Sequence, residues 1–513
     1  MDLSIQPDRR VSDNLDISHM TEKIVVHDVD GAFNANAVWS SPMSIDLTSV
    51  SNRILLTGPG RVLLALVPSF LQPQRFKKEH GKVNKIHSTS FLDGMRGLAS
   101  FVVFICHLSY GTWFITFSYG AGAPGENTWL LQLPIVRLLY SGPPMVAIFF
   151  VISGYVLSYK PLRLIRARQY EDLMLALSSS IFRRGLRLFL PCFISTFFIA
   201  CLAQLGLYRM TEAFSNGMRA MHEDHAPTLP SPYAQFMDWA QKMFAFVNVF
   251  DWSLYAGSID LDRHLWTIPI EFRASMVLFI THVLVARMST ILRLGTLGTL
   301  IWWGLHWDRW DMLPFWSGAI LAELDMIKTS REYRRVTQMD LSREKSNSDG
   351  SDGIWWKSFW LANFICGLFL ASYPDAIGHV TPGYRYLTTL IPEYFTEKHR
   401  FWPSIGAVQI VWTINNFTVV KRIFTSPFLQ YLGNISFPLY LMHGPVIHTL
   451  GYMVSRNTRS TAHGSGDRDH TDRAVSSGPA QGMGHHGHRS HVALRAGLRF
   501  GSCMDHRCRR LGC

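Results

Sequence analysis

The chain has 513 residues, a formal net charge of +12, and 48% hydrophobic against only 17% charged residues. Average soluble domains carry about 25% charged residues, whereas here the mean hydropathy is +0.10 and the pI is near 9.4. This balance excludes a disordered or collagen-like chain and, despite the basic pI, argues against a soluble nucleic-acid binder.

The first fifty residues are polar and lack the short apolar core and small-residue cleavage site of a signal peptide. Residues 1–85 read as a polar arm, within which Val62–Leu71, only ten residues long and interrupted by Pro68, suits an interfacial segment better than a span. Spanning helices need about 20 mostly apolar residues. Nine stretches meet or approach that length: 98–118, 143–159, 186–207, 265–286, 290–306, 311–327, 355–373, 403–420 and 437–455. They predict an all-α, polytopic membrane helix bundle over 86–455.

The loops between these runs carry the orientation. Basic residues crowd 75–85, 160–185 and 328–354, while 119–142 holds Arg137 alone and 208–264 is mixed and acidic. Basic and non-basic loops alternate, so the positive-inside rule places the N-terminus in the cytoplasm. Residues 456–513 break the pattern, with ten Arg against four Asp, seven of the 21 His and no apolar periodicity. They read as a low-complexity tail, of the kind an altered reading frame would produce. Four of the seven cysteines sit inside apolar runs and three in the last eleven residues, so no disulfide framework is indicated.

Titratable side chains inside spans are costly and are functional candidates by default. Arg96 and His107 lie eleven residues apart, which on a helix is three turns plus roughly 20° and about 16 Å. The stripe places a cation at the cytoplasmic mouth and an imidazole near mid-membrane, suiting a ligand with an anionic head and a long arm. The plainer alternative makes Arg96 a flanking anchor and His107 a packing residue. Glu271, six residues inside the fourth span, requires a role or an ion-pair partner, and His264 lies on roughly its face. Trp266 could stack on an acceptor ring or belong to an aromatic belt. The run His485, His486, His488 and His491 fits no zinc pattern, and no metal site is expected.

The stretch Phe91-Leu-Asp-Gly-Met-Arg-Gly-Leu-Ala-Ser-Phe-Val-Val-Phe-Ile-Cys-His107 resembles the first-helix signature of the acyltransferase 3 family of integral membrane O-acyltransferases, with Arg, ten residues, then His. Further blocks resemble that family in order: Phe149–Ser158, Arg183-Arg184-x-x-Arg187, His264–Phe272 and Leu432–His443. The arm and the 328–354 insertion look most like fungal members, which usually have ten core helices, one more than is found here.

The resemblance implies transfer of an acyl group, most often acetyl, from acyl-CoA as co-substrate to a hydroxyl, with no bound cofactor. A neutral imidazole at bonding distance can take a hydroxyl proton as attack begins, so His107 is the expected general base. Arg96 would bind donor phosphate or orient the site, and Glu271 would orient the base or the acceptor. Arg183, Arg184 and Arg187 would hold the CoA phosphates, with ordinary positive-inside charge as the alternative. His264, Trp266 and His443 are candidates for the acceptor side, with a packing histidine as the alternative for His443. Expected partners are the lipid bilayer, acyl-CoA and a hydroxyl-bearing acceptor. The membrane, plasma or internal, and the acceptor, small molecule, glycan or lipid, are left open. Two other readings compete: a transporter or proton-coupled channel using His107, Glu271 and His443, and an inactive family member lacking its last helix.

Overall fold

A computed structural model of the chain describes residues 87–451 except 88, 113–114, 124, 209–225, 253–258, 260 and 342–351. The arm at 1–85 with its Val62–Leu71 segment, and the tail at 456–513 with its histidine run, lie outside the described residues.

The described residues form α-helices α1 (Ser90–Thr112), α2 (Gly142–Arg166), α3 (Tyr170–Gln204), α4 (Pro232–Phe246), α5 (Thr267–Val285), α6 (Thr290–His306), α7 (Met312–Leu341), α8 (Asp352–Ala371), α9 (Arg385–Thr389), α10 (Lys398–Asn416), α11 (Thr418–Phe424) and α12 (Pro427–Val446). A 3₁₀ turn, Arg263–Trp266, leads into α5, and a π turn, Ile447–Gly451, follows α12. No strand occurs among the described residues. Five helical stretches are long and apolar enough to cross a membrane: Ser90–Tyr110, Gly142–Arg166, Tyr170–Gln204, Arg263–Val285 and Gly353–Ala371. The chain is a helical membrane bundle.

Each predicted apolar run holds a helix, but the boundaries differ for physical reasons. α1 begins eight residues before the expected 98, because Asp93 and Arg96 pair at 3.3 Å and so fit inside a helix. α3 begins at Tyr170, which turns most of the expected 160–185 loop into helix. There Leu173 and Leu177 are buried one turn apart, an amphipathic pattern too polar to register as a span. α7 likewise runs on to Leu341, into the expected 328–354 loop. α4 arises where a loop was read: Ser231 accepts a hydrogen bond from the Ala234 N–H at 3.1 Å, and Pro232 opens the first turn. α10 and α11 split the expected 403–420 run at Phe417, whose backbone is extended. α12 starts ten residues earlier than the expected 437.

α2 is central and packs along α7, α10, α1 and α5, with Val151, Tyr155 and Leu162 fully enclosed. Several crossings bring helix backbones together at glycine, among them two that frame α1 and α2. A Cβ on Gly97 of α1 would stand 2.3 Å from the Gly433 nitrogen of α12. A Cβ on Gly318 of α7 would stand 2.3 Å from the Val151 carbonyl of α2. Small residues permit this approach where apolar surface alone gives helices in lipid little reason to associate. Buried charges are neutralised in groups. Glu323 takes hydrogen bonds from Arg166 and Arg293, each at 2.9 Å. Arg137, fully buried, pairs with Asp375 at 3.1 Å and donates to the carbonyls of Ser372 and Tyr373.

Candidate active site

The α1–α12 crossing sets the site. On α1, Arg96, Val103 and His107 recur at seven and four residues; on α12, Ser436, Tyr440 and His443 recur at four and three. Both spacings keep side chains on one helix face, and the close contact at Gly97 and Gly433 turns the two faces toward each other.

At one end the Arg96 guanidinium is buried and donates to Asp93 Oδ1 at 3.3 Å and Ser436 Oγ at 3.0 Å. Beside it, Arg184 of α3 pairs with Glu271 of α5 at 2.7 Å, and Ser153 of α2 donates to the same carboxylate oxygen at 2.9 Å. Arg96, Ser436, Arg184, Glu271 and Ser153 line one pocket, whose empty space of about 780 Å³ includes space open to solvent. Its walls continue through Val103, Phe150 and Thr267 to Tyr440.

Beyond Tyr440 stand three imidazoles. The His264 ring lies 4.1 Å, centroid to centroid, from His107 and 4.4 Å from His443, with 5.3 Å between His107 and His443. One ring nitrogen from each falls within 4.8 Å of the others, a donor set able to hold a divalent cation. Two of the rings are oriented from behind. His264 Nδ1 donates to Asp262 Oδ1 at 2.7 Å, and the His264 backbone N–H donates to the same oxygen at 3.0 Å. His443 Nδ1 donates to the Tyr440 carbonyl. Tyr440 also ties the cavity to the cluster, since its hydroxyl donates to the His264 carbonyl and lies 2.6 Å from Thr267 Oγ1.

The structure thus gathers His107, His264 and His443 at one point, and Arg96, Arg184 and Glu271 at another. Glu271 takes the ion-pair arrangement: its partners are Arg184 and Ser153, at the arginine end rather than among the histidines. Of the three α3 arginines, Arg184 lines the cavity, while Arg183 and Arg187 are exposed. Trp266 faces the Arg400 guanidinium, which lies 4.6 Å from its ring and 4.4 Å from that of Trp310. The three side chains form a cation–π sandwich.

Sequence reasoning passed over Asp262, Ser153, Ser436 and Tyr440. For Asp262 the signal was present, since Asp-x-His spacing lets a carboxylate reach the imidazole two residues on, as at an Asx turn. Ser436 and Tyr440 are uncharged residues in an apolar run, and only the partner helix gives them meaning.

A profile of the acyltransferase 3 family, described as an acyltransferase domain, matches residues 89–463. Among curated proteins, O-acetyltransferase PaAT-1 of Phomopsis amygdali is 33% identical over 403 residues, covering 76% of this chain and 77% of that protein. Acyltransferase R4 of a Phoma species is 29% identical, covering 74% and 89% respectively. Acyltransferase clz18 of Cochliobolus lunatus is 28% identical, covering 71% and 83%. No solved structure matches the chain. Signature residues in the expected order, a helical membrane bundle that gathers them, and a family match over most of the chain place this protein in the acyltransferase 3 family of membrane-bound O-acyltransferases.

Proposed function

We propose that the chain transfers an acetyl group from acetyl-CoA to the hydroxyl of an acceptor molecule, with His107 as general base. The supporting observation is a pocket lined by two arginines, the buried Arg96 and the half-buried Arg184, and also by Val103, one helical turn from His107. Guanidinium groups suit phosphate oxygens because their forked donors match that geometry. Val103 lines the cavity and His107 lies four residues further along the same helix face, so a thioester carried inward on a long arm approaches the imidazole. The hydroxyl loses its proton to His107 as its oxygen attacks the acyl carbon. The C–S bond breaks, and the proton passes to the departing thiolate.

Acetyl is favoured as the transferred group because PaAT-1 is named an O-acetyltransferase. Two outward-facing arginines, Arg183 and Arg187, would steer the anionic donor toward Arg184. The test is thiol release from acetyl-CoA by the full chain in detergent, with water and then cyclohexanol as probe acceptors. Release above the enzyme-free rate that His107→Ala abolishes supports the reading. Equal rates in the two proteins would exclude His107 as the base, and solute flux in proteoliposomes without thiol release would exclude acyl transfer.

A further inference from the structure

We infer that Asp262 and His264 act as the positioning pair of the base, holding the His107 imidazole in place. The inference rests on the reading that His107 is the base.

Three observations carry it. First, the Asp262 and His264 side chains are buried, 2% and 5% exposed, and joined at 2.7 Å through Nδ1. That bond fixes the His264 tautomer, with Nδ1 carrying the hydrogen and Nε2 left as the acceptor. Second, the His264 ring and backbone N–H both donate to Asp262 Oδ1, whereas Asp262 Oδ2 accepts no hydrogen bond from the described residues. A buried carboxylate so incompletely paired is costly as mere scaffolding. Third, the His264 and His107 rings meet edge-on with centroids 4.1 Å apart, closer than either lies to His443.

The proton inventory closes without another reactant. The acceptor O–H bond breaks and its proton moves to His107 while the new O–C bond forms. The His107 ring stays against the His264 ring, which its Nδ1–H bond to Asp262 holds in place. As the C–S bond breaks, the thiolate sulfur takes that proton, and His107 returns to the neutral imidazole. Asp262 touches neither substrate, so it is a positioning residue acting through His264.

The experiment compares wild type, Asp262→Asn, His264→Gln and the double variant, as full chains in detergent, by thiol release from acetyl-CoA with water and with cyclohexanol. Asn keeps the shape and a hydrogen-bond acceptor while removing the charge. The expected result is a fall in kcat of about 100-fold for Asp262→Asn with KM for acetyl-CoA unchanged. The double variant should be no slower than the slower single variant, because residues acting as one unit are not additive. A solely structural role would instead lower the melting temperature and the folded fraction while leaving kcat per folded molecule unchanged. Should Asp262→Asn not survive purification, His264→Gln carries the same kcat-against-KM reading. An unchanged kcat, a loss expressed only in KM, or multiplied losses would overturn the pair. Stoichiometric zinc in the purified wild type that His443→Ala removes would also overturn it, making the histidines ligands instead. If wild type releases no thiol, or His107→Ala is equally fast, the proposed function itself fails. If those two behave as proposed and Asp262→Asn matches wild type, the pair alone fails.

Discussion

Gly444 lies directly against His264: a Cβ at Gly444 would stand 2.8 Å from His264 Nδ1 and 2.9 Å from Asp262 Oδ1. The glycine therefore gives the pair its space, and the atoms in the way are side-chain atoms that can move. Gly444→Ala should fold, with an overpacking cost of roughly 1–3 kcal/mol, while displacing the His264 ring. Activity should fall about 10- to 100-fold, since misplacement of a positioned group by ~1 Å has that scale of effect. Thiol release and thermal unfolding of the purified variant, measured side by side, check this; a large loss of melting temperature with full activity would contradict it.

The cavity lining divides the three α3 arginines. Arg184 faces the cavity and Glu271, whereas Arg183 is exposed. Removing Arg184 alone would strand Glu271, so the informative variant is Arg184→Met with Glu271→Gln. A hydrogen bond to a charged group contributes about 1.5–3 kcal/mol, so KM for acetyl-CoA should rise roughly 10- to 100-fold. Arg183→Met should raise it by less than about threefold, because exposed charges act only weakly and through screened fields. Initial-rate kinetics over a range of acetyl-CoA separates these outcomes.

How much of this was legible in the sequence depends on the range of the interaction. Helices announced themselves through apolar runs, because lipid demands them over local stretches of chain. Their ends did not, because Asp93 and Arg96 neutralise each other inside α1 rather than ending it. His107 and Arg96 were legible as one stripe of one helix. His264 and His443 were legible as candidates, but their meeting with His107 spans 157 and 336 residues of chain and exists only in the packed bundle. Glu271 was legible as needing a role or an ion-pair partner, but not which partner: Arg184 is on another helix, 87 residues away. Gly97 and Gly433 gave no local sign that one helix backbone would rest on the other.

Arg137 provides a test of the scaffold away from the site. It is fully buried, pairs with Asp375 at 3.1 Å and donates to three backbone carbonyls, those of Thr116, Ser372 and Tyr373. Nearby, burial pushes the Tyr384 phenol up to about 12, so it stays neutral and keeps its 2.7 Å contact with Ser372 Oγ. Arg137→Met leaves Asp375 without its cation and strands the carbonyls. Breaking such a pair costs about 3–5 kcal/mol, so unfolding should come at markedly lower temperature. The protein that stays folded at low temperature should keep an unchanged KM for acetyl-CoA, which distinguishes a scaffold role from a part in donor binding.

The crossing of α1 and α12 makes the sharpest claim on the architecture. α1 brings Arg96 and His107, and α12 brings Ser436, Tyr440 and His443. A methyl at Gly97 would meet the Gly433 nitrogen at 2.3 Å and the Leu432 carbonyl carbon at 2.5 Å, both backbone atoms that cannot swing aside. Gly97→Ala must therefore move one helix against the other, unlike Gly444→Ala, where only side chains yield. Both ends of the site would shift together, raising KM for acetyl-CoA and lowering kcat, with an added destabilisation of roughly 1–3 kcal/mol or more. Gly295→Ala on α6, where a Cβ would meet nothing within 4 Å, is the matched control and should be neutral or slightly stabilising, since Ala favours helix by about 1 kcal/mol. Parallel kinetics and melting curves decide the matter: a Gly97→Ala protein with wild-type kcat and KM would show that α1 and α12 do not set the site by direct backbone contact.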